Sequence, residues 1–136
     1  MDGINNIDLI QKSASVINPK TINGYTVGDV GCALVTDKGN VYTGVNIDTS
    51  SGMGFCAEHG AIAAMVTERE SKIERIVATW KNEKGELFTL PPCGRCREFI
   101  KQIDPNNLDT EILFGQENNI KLRDLLPHDG EFVKIK

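Results

Sequence analysis

No stretch of this chain approaches the about 18 consecutive apolar residues that a membrane-spanning helix requires, which argues against a helical membrane protein. The N-terminal residues lack a basic start followed by an apolar run, so no secretory signal is expected and the cytoplasm is the default address. Basic residues are neither abundant nor gathered: 15 Lys and Arg stand against 19 Asp and Glu, a net charge of −4. Without a cationic patch or stripe, nucleic acid is a poor candidate ligand, because phosphate binding rests on Lys and Arg. A small neutral or weakly cationic molecule suits this balance better, with no nucleic-acid or membrane partner. Internal repeats, linkers and low-complexity runs are missing too, so residues 1–136 are expected to form one domain with one core. Cysteine is scarce, at four residues. In an intracellular chain that number points to metal or catalysis before disulfides.

What is present has clear periodicity. Ile7, Ile10, Ala14 and Ile17 recur at steps of three and four, the stripe of an amphipathic helix, with Asn5 or Asn6 as its cap and Pro19 as its end. Val27 to Thr36 reads as a strand, Asp37-Lys38-Gly39-Asn40 as a hairpin turn, and Val41 to Asn46 as the return strand. Cys32, among Ala33, Leu34 and Val35, reads as a small buried core residue. Ile47 to Phe55 is a loop whose glycines permit close approach of backbone to a ligand. Ala57 to Glu70 predicts a helix with Ala61, Ile62, Met65 and Val66 on its buried face, and Glu58 on that face one turn earlier. Lys72 to Trp80 predicts a buried strand, and Asn82 to Gly85 a turn. Cys96, Phe99, Ile100 and Ile103 repeat at i, i+3, i+4 and i+7, which predicts a helix starting at the cysteine pair and stopped by Asp104-Pro105. Thr110 to Phe114 reads as a strand and Leu122 to Leu126 as a short helix. Strands alternating with helices after residue 40 predict an α/β fold, a mixed sheet with parallel neighbours covered by helices.

The chemistry concentrates in Cys56-Ala57-Glu58 and Pro92-Cys93-Gly94-Arg95-Cys96. Three thiols and one acid suit a hydrolytic zinc site: three soft ligands hold the ion, a fourth tetrahedral position stays open, and a non-ligating carboxylate moves protons. This arrangement is the signature of zinc-dependent base deaminases. Cys93 and Cys96 are three apart, so one helical turn aims both sulfurs at one point, while Cys56 opens a different helix. Two helix N-termini would converge there, and their positive ends offset part of the thiolate charge. Three thiolates on a dication still leave −1, so nearby donors matter. His59 is placed to donate to a sulfur. Arg97, with Arg95, is the nearby cation, although a solvated helix-surface charge is an equal reading of Arg97. Glu58 is the candidate proton shuttle for attack on the amidine carbon of an aminopyrimidine. Three alternatives stand beside this reading: a closed structural site that adds Cys32, a redox dithiol at Cys93 and Cys96, and a degenerate site that only binds.

On these residues, together with Gly44-Val45-Asn46-Ile47, Arg97 and Leu125-Leu126-Pro127, the chain resembles the small cytidine deaminase family, including its blasticidin-S deaminase branch, from about Val27 to Leu126. The resemblance implies a three-layer α/β/α sandwich around a mixed, mostly five-stranded sheet. It implies Zn²⁺ bound by Cys56, Cys93 and Cys96, with Glu58 catalytic. It implies hydrolysis of cytidine or deoxycytidine to uridine or deoxyuridine with loss of ammonia, as in pyrimidine salvage, and a homotetramer whose sites borrow residues from neighbours. Asn46 matches an asparagine that contacts the sugar, and Ala57 is carried over as a substrate contact. Asp48 stands where the family usually has a glutamate reaching a ribose hydroxyl, one methylene longer; a local loop-capping role is the alternative. His59 replaces an arginine common in three-cysteine members. The Ser50-Ser51-Gly52-Met53-Gly54 loop lacks the usual aromatic and is closer to the blasticidin branch, so a cytosine-containing antibiotic nucleoside is the alternative substrate. Phe132 is placed either to cover the base or to make a core contact.

Overall fold

The two hydrophobic faces of one sheet determine the layering. In the computed structural model, which describes residues 3–130 and 132–136, the longest strand is β2 (Tyr25–Thr36). Its side chains alternate between the two faces. Cys32 and Leu34 enter one core with Ile62, Met65, Ile76 and Ile100, whereas Ala33 and Val35 enter another with Leu9, Val77 and Leu113. The first core is closed by helices α2 (Ala57–Thr67) and α3 (Gly94–Ile103), and the second by α1 (Asn6–Ser15). Helices therefore cover both faces, as expected for a three-layer sandwich.

β2 pairs antiparallel with β3 (Val41–Asp48) through the expected turn, and with β4 (Ile73–Lys81) on its other edge. The short β1 (Lys20–Ile22) extends the edge that β4 occupies. β4 in turn pairs antiparallel with β5 (Leu87–Leu90) and parallel with β6 (Glu111–Phe114), after which β7 (Asn118–Lys121) closes the sheet antiparallel to β6. Seven strands thus fill five ranks, with β4·β6 as the parallel pair. The crossover between those two strands runs through α3, as a parallel connection requires.

Three expectations shift. The stripe of α1 is Leu9, Ile10, Ser13 and Ala14, while Ile7 is half exposed and Ile17 lies beyond the helix end. Ser13 is tolerated in that stripe because its hydroxyl donates to the Gly31 carbonyl at 2.9 Å and sits 2.8 Å from the Thr79 hydroxyl. Helix α2 stops at Thr67, and Val66 is exposed because the sheet meets only the Ala61, Ile62 and Met65 side. Finally, Phe132 is fully exposed and makes no core contact. The cap on α1 is Asn5, whose side chain accepts the Asp8 N–H at 2.8 Å.

Helix α2 lies directly on the backbone of β3. A Cβ added at Gly44 would sit 2.2 Å from the Ala61 nitrogen and 2.8 Å from the Ala57 carbonyl, and Gly60 faces Gly44 across the same contact. This approach sets how deep Cys56 and Glu58 reach. Gly44→Ala should therefore lower stability by about 1–3 kcal/mol through overpacking and reduce zinc content, read by thermal melting and metal analysis. Gly94→Ala, with open space around the new methyl, should stay within about 0.5 kcal/mol of the parent.

Candidate active site

Two helices begin on cysteines. Cys56 is the N-cap of α2 and Cys93 the N-cap of α3, and neither side chain caps its helix. Their carbonyls accept the first backbone bonds of the two helices, from the His59 N–H at 3.0 Å and the Arg97 N–H at 2.9 Å. Both sulfurs are thus left for other use. Cys96, one turn into α3, is buried against them. Cys56 Sγ lies 3.7 Å from Cys93 Sγ, which lies 3.6 Å from Cys96 Sγ, and no disulfide joins them. A tetrahedral ion with Zn–S bonds of about 2.3 Å places its sulfurs about 3.8 Å apart. The three thiols therefore fit zinc in both donor chemistry and spacing. Among the described residues the metal-competent group comprises these three and not Cys32, which lies buried in the first core as expected.

The thiols differ electrostatically. Burial pushes the Cys96 thiol far up, and the Glu58 and Cys56 charges add to this. Burial also raises Cys56, with the hydrogen bond to Cys93 next. Burial works against the Cys93 thiolate too, but hydrogen bonds from the Cys96 backbone, the neighbouring thiols and the Arg95 backbone outweigh it and hold Cys93 below the ordinary thiol range. Cys93 is therefore the readiest thiolate, and a dication must displace protons from the others.

Glu58, in the first turn of α2, is 6% exposed. Burial raises its pKa, with only its own backbone N–H acting the other way. His59 Nδ1 lies 3.6 Å from Cys96 Sγ, and its ring stacks on Phe99 at 4.3 Å between centroids. Burial and then the Arg95 charge lower its pKa, which favours the neutral imidazole, and the tautomer with hydrogen on Nδ1 donates to that sulfur. Arg97 behaves differently. Its guanidinium donates to the Pro92 carbonyl at 2.8 Å and the Leu125 carbonyl at 3.2 Å, so it braces the loop entering Cys93 rather than bonding a sulfur.

A cavity of about 210 Å³ is lined by Cys56, Ala57, Glu58 and Cys93, with Leu90 and Pro91 as an apolar wall. Asn46 and Asp48 line the same cavity, and so does Asp29, which the sequence motifs did not single out. Asn46 Oδ1 accepts the Val30 N–H at 2.9 Å, and its Nδ2 donates to Asp29 Oδ1 at 2.5 Å and Asp48 Oδ2 at 3.1 Å. The signal for Asp29 is topological: the β2–β3 register slips between Val27 and Gly31, and Gly28 there has φ +78°. Phe132 is not part of the lining.

The profile described as the cytidine and deoxycytidylate deaminase zinc-binding region matches residues 8–110. The chain belongs to this family. The match spans Cys56, Glu58, Cys93 and Cys96, the residues whose geometry points the same way. Among relatives, a cytidine deaminase from Halalkalibacterium halodurans is 31% identical over 108 residues, 76% of this chain and 77% of that protein. A blasticidin-S deaminase from Bacillus cereus is 28% identical over 103 residues, 72% of this chain and 74% of that protein. The crystal structure of cytidine deaminase from Mycobacterium leprae superposes with a TM-score of 0.72 at 23% identity, covering 91% of this chain and 98% of that one, which shows the shared fold.

Two outcomes follow for zinc. Cys32→Ala should retain stoichiometric metal while Cys93→Ala loses it, as read by elemental analysis. Zinc affinity should weaken as pH falls, by about tenfold per pH unit for each thiol proton displaced, with matching proton release in calorimetry.

Proposed function

We propose that this chain is a zinc-dependent hydrolase that deaminates cytidine or deoxycytidine, yielding the uracil nucleoside and ammonia. What carries this reading is the buried Glu58 carboxylate in one cavity with Cys56 and Cys93, two members of the three-thiol cluster. Zinc bound by Cys56, Cys93 and Cys96 would supply the Lewis acidity that lowers the pKa of an attacking water. Glu58 takes one proton from that water and passes it to the ring nitrogen; it then takes the second proton from the hydroxyl now on the ring carbon and delivers it to the amino group, which departs as ammonia as the carbonyl forms. One carboxylate serves each transfer because donor and acceptor atoms lie around a single bound ring. Burial suits Glu58 to the task, since it raises the carboxyl and so eases the return of protons to the substrate. His59 keeps Cys96 oriented, and Arg97 holds the approach to Cys93. Asp48, its carboxylate held by Asn46, orients the sugar, with Ala57 beside the base.

A second substrate, a cytosine-containing antibiotic nucleoside of the blasticidin type, is supported by the similarity to the Bacillus cereus protein. The same proposal includes a homotetramer, supported by exposed apolar side chains such as Trp80, Phe88 and Met53. It also includes a reducing, cytoplasmic setting, which would keep the three thiols free.

An ultraviolet assay with cytidine, deoxycytidine, cytosine, deoxycytidylate and blasticidin S tests the proposal directly. Loss of absorbance with a nucleoside is expected, and none with any of the five contradicts it. Glu58→Gln should keep zinc and lower kcat by about 10²–10⁴-fold or more.

A further inference from the structure

The hairpin of β2 and β3 is interrupted where it borders the cavity. Its ladder pairs Val27 with Ile47 and resumes at Gly31 with Val45, so Gly28, Asp29 and Val30 stand against Asn46 alone. Only glycine serves at the turn of this bulge, since a Cβ at Gly28 would meet the Asn18 carbonyl oxygen at 2.5 Å. The Asn46 side chain then fills the gap in the ladder. Because Val30 N–H can bond only the amide oxygen, the amide nitrogen must face the carboxylates. Both of its hydrogens are taken, one by Asp29 and one by Asp48.

Asn46, 4% exposed, therefore has no donor left to offer a substrate. The polar atoms that this part of the cavity presents are the remaining carboxylate oxygens of Asp29 and Asp48, which only accept when ionised. Among the described residues no Lys, Arg or His lines the cavity to balance them, and Glu58 adds a third acid. Two carboxylates gathered on one amide nitrogen favour hydroxyl and ammonium donors and repel phosphate.

We propose that Asp29, held beside Asp48 by Asn46, is a charge filter of the substrate pocket, favouring cytosine nucleosides with hydroxyl or positively charged substituents on the sugar and rejecting nucleotides that carry phosphate there. The proposal rests on the deaminase reading and deepens it, since the family description spans both an uncharged nucleoside and a phosphorylated one.

The test uses the zinc-loaded full chain and compares kcat/KM for 5′-amino-5′-deoxycytidine, cytidine and deoxycytidylate in the parent, Asp29→Asn and Asp29→Glu, at low and high salt. The parent should rank amine above hydroxyl above phosphate, with the spread shrinking as salt is added. Asp29→Asn keeps an acceptor for Asn46 but removes the charge; it should cut the amine-to-phosphate preference by about tenfold and weaken its salt dependence. Asp29→Glu, which keeps the charge, should retain most of the preference even where overall turnover falls. Equal preference in the parent and Asp29→Asn overturns the filter while leaving the deaminase reading standing, and so does equal loss in both variants. A parent that deaminates none of the three overturns the filter, and one that also leaves deoxycytidine, cytosine and blasticidin S unchanged overturns both.

Discussion

A helix can rest on the backbone of a strand only where neither surface carries a side chain. The contact of Gly44 with Gly60 and the Ala61 backbone is such a place, and the rest of the site depends on it. With α2 seated against β3, its N-terminus arrives beside that of α3, and Cys56 meets Cys93 and Cys96 at sulfur–sulfur spacings that zinc accepts. The same seating carries Glu58 inward until it is almost fully buried. A strand residue with one methyl more would lift both groups together, so the thiol cluster and the buried carboxylate share one packing constraint.

That arrangement concentrates acidity. Burial raises Cys56, Cys96 and Glu58, each against its charged form. The helix N-termini and the His59 contact with Cys96 offset part of this, and a dication offsets far more. The metal is accordingly a folding partner of the site as well as a reagent. Arg97 shows how the protein supports the cluster without a direct charge contact: it ties the Pro92 carbonyl to Leu125, linking the loop before Cys93 to α4 (Leu122–Leu125).

Much of this was legible in the sequence because the signals were local. The i, i+3, i+4, i+7 run from Cys96, the Asp37–Asn40 turn and the two cysteine motifs each map onto an element at or near the expected bounds. The α/β layering followed from the alternation of those elements. What was not legible depends on contacts between distant residues. β1 is exposed throughout and β7 is polar, so neither has a burial pattern to betray it. The stripe of α1 turned away from Ile7 because Ser13 finds partners on β2 and β4, which no periodicity displays. Asp29 was invisible for a similar reason. Its importance arises from a slipped ladder register and from the side chain of Asn46, 17 residues away. Arg97 read equally as a cation for the sulfurs or as a solvated surface charge, and only the fold reveals the two carbonyls that hold it.

X-ray absorption at the zinc edge tests the half-open thiolate centre most directly. The account predicts three sulfur neighbours at about 2.3 Å and one lighter atom completing the tetrahedron, unchanged in Glu58→Gln. Four sulfur neighbours, or a light-atom shell that disappears with the Glu58 carboxylate, would contradict it.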